Sequence, residues 1–261
     1  MQAPAHLKIA GAFVALVLLS TIGLAQASAD TTERQREIET ANNNRPKFIK
    51  AFVVDDRLSA LRREPAAQSE IIHRLRLARA VYIIEHGRDE GSRAKFYRVA
   101  VTRRTRGWML ASALAVVNRA GEDERVWKLI ESAADELDRI TLCKLFIENF
   151  SRSRLQARAL LRMGEEAERA AVTLSQRARK RLGEADPRNR NATLQDYYLN
   201  DSGLDRYNRL RVIFNFNEES ASYIYDGKAY KEISRRFPGT EEARIARQRL
   251  EIAGQKSARK K

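Results

Sequence analysis

The stretch Phe96–Leu114, FYRVAVTRRTRGWMLASAL, decides how the first folded part of this chain is interpreted. Apolar and polar side chains partly alternate over Phe96–Val101, as they do in a strand with one buried face. The basic run Thr102–Gly107 predicts a hairpin turn, and Trp108–Leu110 predicts the returning strand. We therefore expect two antiparallel strands joined by an exposed, arginine-rich turn.

Three more short runs precede this hairpin and also read as strands. They are Phe52–Val54, Ile71–Leu75 and Ala80–Ile84, and the polar loop Gly87–Ser92 follows the last of them. Several short strands separated by turn signals are typical of a small all-β barrel. The pattern therefore predicts an all-β domain over residues 49–118.

The segment Leu58–Leu114 resembles a bacterial SH3-like domain. Its opening, Leu58–Pro65 or LSALRREP, matches the family's run from an apolar residue through a basic one to a proline-containing loop. Its end, Gly107–Met109 followed by Ala113 and Leu114, matches the family's closing strand. The family often has glycine before the loop proline, where this chain has Glu64, so the loop is expected to differ in shape. The resemblance implies a peptide or cell-wall ligand for this domain.

Six residues of the predicted barrel are candidates for contact with that ligand. They are the aromatic residues Tyr82, Tyr97 and Trp108 and the turn residues Arg103, Arg104 and Arg106. Each ring could either stack on a sugar or peptide or fill the core. Because aromatic side chains dominate small cores, we expect Phe96 and Trp108 to be core residues. Tyr97 lies on the opposite strand face from Phe96 and is expected to be an exposed contact.

Residues 119–253 have helical periodicity and are predicted to form an all-α bundle. Acidic Glu122–Glu124 suit a helix start, and apolar residues recur on one face from Val126 to Ile140, which predicts one helix. The run Leu142–Ile147 is apolar on nearly all sides and is expected to be deeply buried. A second helix carries the stripe Leu160, Met163, Ala167, Ala170, Leu174, Ala178 and Leu182.

After that helix, polar residues 186–203 predict an irregular connection, and Leu204–Phe216 predicts another helix. The stretch Tyr230–Ala246 then follows the pattern Y-x-x-I-x-x-x-F-P-G-T-x-x-A-x-x-A. This pattern resembles a tetratricopeptide-type helical hairpin, as found in bacterial envelope scaffolds, and implies a protein partner. One repeat is legible, whereas a stack needs about three, so a small bundle is expected.

The first 29 residues resemble a cleavable secretory signal peptide. An apolar run, Ile9–Ala25, is followed by the small-x-small site Ala27–Ala29, so Asp30 would begin the mature chain. The alternative is an uncleaved helix that anchors the protein in the inner membrane. We predict a periplasmic or extracellular protein with a linker at 30–48 and a basic tail at 254–261.

The chain is strongly basic, with a net charge of +15. Nucleic acid is the usual partner of such charge, but export would put it out of reach. We therefore expect an anionic cell-wall polymer, an envelope protein or peptide, and peripheral contact with an anionic membrane surface. Arginine and glutamate alternate along much of the chain, so many basic stretches are expected to be solvated helix faces.

Signals for catalysis are weak. His73 and His86 have no second ligand at metal spacing, and Cys143 stands among apolar residues that favour burial over nucleophilic chemistry. Neighbouring carboxylates such as Glu165 and Glu166 diverge on a helix by about 100° and are expected to be solvated. The sequence predicts a non-enzymatic exported binding or scaffold protein without cofactor or metal; the alternative is a targeting accessory of a cell-wall hydrolase.

Overall fold

The computed structural model describes residues 48–183, 193–201 and 203–258. The predicted signal peptide, nearly all of the predicted linker and the last three residues of the basic tail lie outside these ranges. The described residues from Ile49 onward form one compact unit, in which an antiparallel sheet is followed by helices. Within the described residues, no helix combines the length and the apolar character needed to cross a membrane.

Seven strands form the first sheet, and every pairing in it is antiparallel. The strands are β1 (Ile49–Val53), β2 (Ala60–Arg62), β3 (Ile71–Arg74), β4 (Ala80–Arg88), β5 (Lys95–Ala100), β6 (Arg106–Leu110) and β7 (Leu114–Val116). Their order is β3-β2-β6-β5-β4-β1-β7. The strands expected from the sequence are therefore present. The two edge strands of this order are β3 and β7. The described residues contain no pairing that joins these edges, so the sheet is not closed into the expected barrel.

The two faces of this sheet are buried in different ways. On the inward face, Val81, Val99 and Met109 belong to an apolar core made by the sheet alone. On the outward face, Phe52 and Ala115 pack against the first helices. This alternation follows from the two-residue period of a strand, which sends successive side chains to opposite faces. The sheet therefore contributes to two separate clusters.

Seven helices and a second, two-stranded sheet follow in the described residues. The helices are α1 (Glu122–Ser132), α2 (Glu136–Asn149), α3 (Gln156–Gly183), α4 (Leu194–Leu199), α5 (Leu204–Arg209), α6 (Lys228–Arg236) and α7 (Glu241–Ala258). Between α5 and α6, the strands β8 (Phe214–Asn217) and β9 (Ser222–Tyr225) pair with each other. The stripe predicted on the second helix lies in α3 and faces the core, and Leu142, Leu145 and Phe146 of α2 are buried as expected.

The structure corrects three of these helical predictions. The single helix expected from Val126 to Ile140 is two helices, because the backbone becomes extended at Ala133 and the Asp135 carboxylate caps α2. The helix expected over 204–216 ends at Arg209, and the all-α prediction for 119–253 is wrong because β8 and β9 follow. Alternate aromatic residues of these two strands face the core, which is the two-residue period of a strand.

A fourth correction concerns the stretch expected to be irregular. Residues 194–199 form α4, whose start is a capping box: the Thr193 hydroxyl accepts from the Asp196 amide and the Asp196 carboxylate accepts from the Thr193 amide. Capping of this kind satisfies amides that a helix start leaves without partners. A short helix can therefore form within a polar stretch.

The edge strand β7 is joined to α1 by polar contacts. The Glu122 carboxylate accepts a hydrogen bond from the amide of Val116 at 3.1 Å, and the Arg125 guanidinium donates to the carbonyl of Leu114. Arg125 also pairs with Glu122 at 2.8 Å. These side chains satisfy backbone groups that an edge strand otherwise exposes.

Candidate functional site

The candidate site is the solvent-exposed part of the outward face of the seven-stranded sheet. Lys50 lies directly opposite Tyr82, Tyr82 opposite Ala100, and Ala100 opposite Arg106. Residues directly opposite one another on antiparallel strands share a face, with Cβ atoms about 4.5–5.5 Å apart. Tyr82 is 44 % exposed, so part of its ring faces solvent in this row, with Lys50 on the neighbouring strand and Arg106 two strands away. The Lys50 ammonium lies 4.8 Å from the centroid of the Phe52 ring.

A second row of the same face runs through Trp108. Trp108 lies opposite Arg98 on one side and opposite Arg62 on the other. Its ring covers Gly87, where an added Cβ would come within 2.5 Å of the indole, and Pro65 lies beside it. Trp108 is consequently half-buried, whereas Phe96 is fully buried as expected.

The three candidate arginines lie at one end of this face. Arg103 and Arg104 belong to the turn between β5 and β6, and both side chains are exposed together with that of Arg106. The Thr102 hydroxyl accepts from the amides of Arg104 and Thr105, which fixes the turn. The predicted exposed, arginine-rich turn is thus confirmed, and it continues the row that contains Tyr82.

Tyr97 is separated from the other candidates, and it is half-buried against the core of the sheet rather than exposed as expected. It points to the opposite face of the sheet, where its ring lies 4.9 Å from that of His86. Its hydroxyl accepts a hydrogen bond from Arg119 at 3.2 Å. Five of the six predicted site residues therefore share the outward face or the turn at its end, and the sixth does not.

Net charge is concentrated in the sheet. Residues 49–119 contain 15 lysines and arginines against 7 acidic residues, whereas residues 120–253 contain 25 against 23. On the helices, cations repeatedly meet carboxylates, as where Arg236 pairs with Glu232 at 2.7 Å and Arg158 with Glu131 at 3.6 Å. The helices thus carry mixed-sign faces as expected, and the excess positive charge belongs to the sheet.

The cations around Tyr82 lack such partners. In the part of the chain that the structure describes, no carboxylate oxygen lies within 4.0 Å of Lys50, Arg103, Arg104 or Arg106. An exposed ion pair contributes little to the stability of a protein. A group of like charges without ion-pair partners can bind an external anion. The face can therefore hold an anionic ligand between cations while offering an aromatic ring for stacking.

Lys50 was not among the residues singled out from the sequence. Its place beside Tyr82 depends on the register between β1 and β4, and β1 ends at Val53 whereas β4 begins only at Ala80. A local pattern does not encode that register. The sequence signal that could have indicated this site is the alternation of basic and aromatic residues around Phe52 and Tyr82.

Groups with catalytic potential are not brought together in the described residues. Cys143 is fully buried, as expected, and burial raises the pKa of its thiol far above the ordinary range. His73 and His86 are exposed, and the described residues contain no group of three metal-ligating side chains. A groove of about 630 Å³ between α3, β9 and α7 contains one carboxylate, Glu168, which is paired with Arg249 at 3.3 Å.

The sequence interpretation of the paired carboxylates is wrong for one of them. Glu166 is fully buried rather than solvated, and its carboxylate meets Arg139 at 2.8 Å, Arg162 at 3.2 Å and Arg169 at 2.9 Å. Arg139 comes from α2, so the network ties α2 to α3. This is a structural role, because Glu166 is closed off from solvent.

Comparison with known proteins gives no relative for this chain: no family model, no curated protein and no solved structure matches it.

Proposed function

We propose that this chain is a non-enzymatic binding and scaffold protein of the bacterial cell envelope. In this proposal residues 1–29 direct export, the sheet is an SH3-like domain that contacts an anionic cell-wall polymer or peptide, and the helices hold a protein partner. The observation that carries the proposal is the outward face on which Tyr82 stands between Lys50 and Arg106, without carboxylate partners in the described residues.

The chemistry of this face suits an extended anionic ligand. Its cations lie at the two ends of a row that crosses four strands, β1, β4, β5 and β6, rather than around a closed pocket, so they can contact separate charges of one extended chain. An aromatic ring between cations adds a stacking surface for a sugar or peptide group. Attraction of this kind is screened over about 10 Å at 0.1 M salt, so binding should weaken as salt rises.

The helical hairpin α6–α7 supports the scaffold part of the proposal. Tyr230 and Ile233 of α6 and Ala243 and Ala246 of α7 are buried together, and small residues at such a contact allow two helices to approach closely. The Thr240 hydroxyl accepts from the Ala243 amide and caps α7. This close packing of α6 against α7 supports the proposed likeness to a tetratricopeptide-type hairpin.

Co-sedimentation with isolated peptidoglycan sacculi tests the proposal. We compare the wild-type chain with Lys50→Gln/Arg106→Gln and with a matched control, Lys128→Gln/Arg235→Gln, which removes one exposed lysine and one exposed arginine from helices. If each cation of the face contributes about 0.5–1 kcal/mol, the face variant should bind about five- to thirty-fold more weakly. The control should bind like the wild type. Equal loss in both variants would show that total charge rather than the face holds the polymer.

A further inference from the structure

A second basic cluster lies on the inward side of the sheet, at the far end of the β4–β5 hairpin. There Arg88 is directly opposite Lys95, and His86 is directly opposite Tyr97. Because residues two apart on a strand share a face, all four side chains lie on one side of the hairpin. They line a shallow concavity of about 380 Å³.

A third cation, Arg119, contacts one residue of this concavity from another element. Arg119 follows β7, and its guanidinium donates to the hydroxyl of Tyr97 at 3.2 Å. The ring of Tyr97 is itself held 4.9 Å from that of His86. The donors that line the concavity therefore come from β4 and β5, and Arg119 holds the hydroxyl of Tyr97.

In the described residues no carboxylate forms an ion pair with Arg88, Lys95 or Arg119. Glu85 pairs with Arg98 at 3.2 Å on the outward face. The Asp89 carboxylate already accepts from the amides of Ala67 and Gly91, both at 2.9 Å. Within the described ranges, Glu90 makes no ion pair with Arg88 or Lys95.

The direct opposition of Arg88 and Lys95 works against the hairpin in which it occurs. Like charges directly opposite each other on antiparallel strands destabilise the pairing. An anion bound between the two cations would relieve this repulsion.

We propose that this concavity binds a phosphate group. A guanidinium offers a planar fork of donors, an ammonium offers a compact charge, and both suit an oxyanion with several oxygens. Phosphate carries more than one negative charge at neutral pH, which matches a cluster of several cations better than a carboxylate does. The site is on the opposite face from the row that contains Tyr82, so it stands independently of the proposed function.

The first experiment measures inorganic phosphate binding to the full chain. Thermal unfolding and the amide spectra of the β4–β5 hairpin are followed as phosphate replaces chloride at constant ionic strength. Phosphate should raise the melting temperature of the wild type and shift the amides near Lys95. An unchanged melting temperature and unchanged amides at millimolar phosphate would overturn the proposal.

The variant Lys95→Gln has two expected effects of opposite sign. Without phosphate it should melt at a higher temperature than the wild type, because the repulsion from Arg88 is gone. Its phosphate affinity should fall about tenfold or more, the effect of losing one charge-assisted contact. The matched control Lys128→Gln, an exposed lysine on α1, should bind phosphate like the wild type. Equal phosphate affinity in Lys95→Gln and the wild type would overturn the proposal.

A second experiment distinguishes a free phosphate from a lipid headgroup. Vesicles containing phosphatidic acid present a phosphate monoester, and vesicles with the same charge density of phosphatidylglycerol present a diester. The phosphate would belong to a lipid if the chain binds the phosphatidic acid vesicles, if Lys95→Gln weakens that binding and if inorganic phosphate displaces it. Binding of soluble phosphate alone would assign a free phosphate compound. Equal binding to both vesicle types, unaffected by Lys95→Gln and by phosphate, would contradict a phosphate site.

Discussion

Replacing Glu166 by glutamine should destabilise the chain far more than the same change at its neighbour Glu165. The Glu166 side chain is 1 % exposed and meets Arg139, whose own side chain is 13 % exposed, at 2.8 Å. Glutamine keeps the shape and one acceptor oxygen but removes the charge. The buried guanidinium of Arg139 would then lack its counter-charge.

The magnitude follows from which arginines are buried. Breaking a buried ion pair by removing one partner costs about 3–5 kcal/mol. Arg169 is 59 % exposed and Arg162 is 29 % exposed, so water can compensate them in part. Arg139 also keeps its hydrogen bonds to the carbonyls at the end of α1. We therefore expect the lower end of the range, about 3 kcal/mol.

Urea unfolding followed by circular dichroism gives the free energy of unfolding by linear extrapolation. The matched control is Glu165→Gln. Glu165 lies 3.7 Å from Arg162, and the side chains are 27 % and 29 % exposed, so its loss should cost about 0.5 kcal/mol. If the two variants unfold with the same free energy, the argument from the buried network is refuted.

Three further predictions concern single residues. Gly164→Ala should lower the free energy of unfolding by about 1–3 kcal/mol in the same urea assay, because the added Cβ would lie 2.4 Å from the Tyr230 ring. An unchanged free energy of unfolding would show that α3 and α6 move apart easily. Cys143 should resist a thiol reagent in the native chain and react in urea, because the thiol is buried with a raised pKa; fast native labelling would contradict its burial. Hydrogen bonds from backbone amides, of which that of Ala67 has the largest effect, lower the pKa of Asp89 below its ordinary value of 3.8. The contribution of Asp89 to the stability of the fold is therefore present above pH 3.8 and is lost as the pH falls through the lowered pKa. The Ala67 amide should report this loss in NMR spectra, and an Ala67 shift that still titrates in Asp89→Asn would assign the loss to another group.

Most strands could be predicted because their signals are local. Phe96–Val101 and Ala80–Ile84 contain β-branched and aromatic residues bounded by turn residues, and these properties do not depend on distant contacts. The same holds for the α6–α7 hairpin, whose turn and cap occupy Phe237–Thr240. Such elements form where the sequence expects them.

The elements that were predicted wrongly lie where the same residues fit two different local structures. From Val126 to Ile140 the apolar spacing continues at helical period, but Asp135 accepts hydrogen bonds from two following amides and starts a new helix there. Phe214 and Phe216 fit a strand as well as a helix end, and the strand forms because it pairs with β9. Pairing of this kind is a long-range contact that a single stretch does not reveal.

The candidate site was predictable only in part for the same reason. The exposed turn with Arg103 and Arg104 follows from local sequence, but the place of Lys50 beside Tyr82 depends on strand register. Glu166 is similar, since its burial depends on Arg139, 27 residues earlier in the chain. A carboxylate that looks solvated in sequence becomes buried when another helix supplies its counter-charge.

Site-specific photo-crosslinking to sacculi tests the central claim, that the outward face of the sheet contacts the anionic polymer, most directly. A photo-reactive amino acid replaces Tyr82 in one chain and Val172, which is 58 % exposed on α3, in another. The account predicts that the chain labelled at position 82 becomes covalently attached to the wall polymer and that the chain labelled at position 172 does not. Attachment from position 172 alone, or equally from both positions, would contradict it.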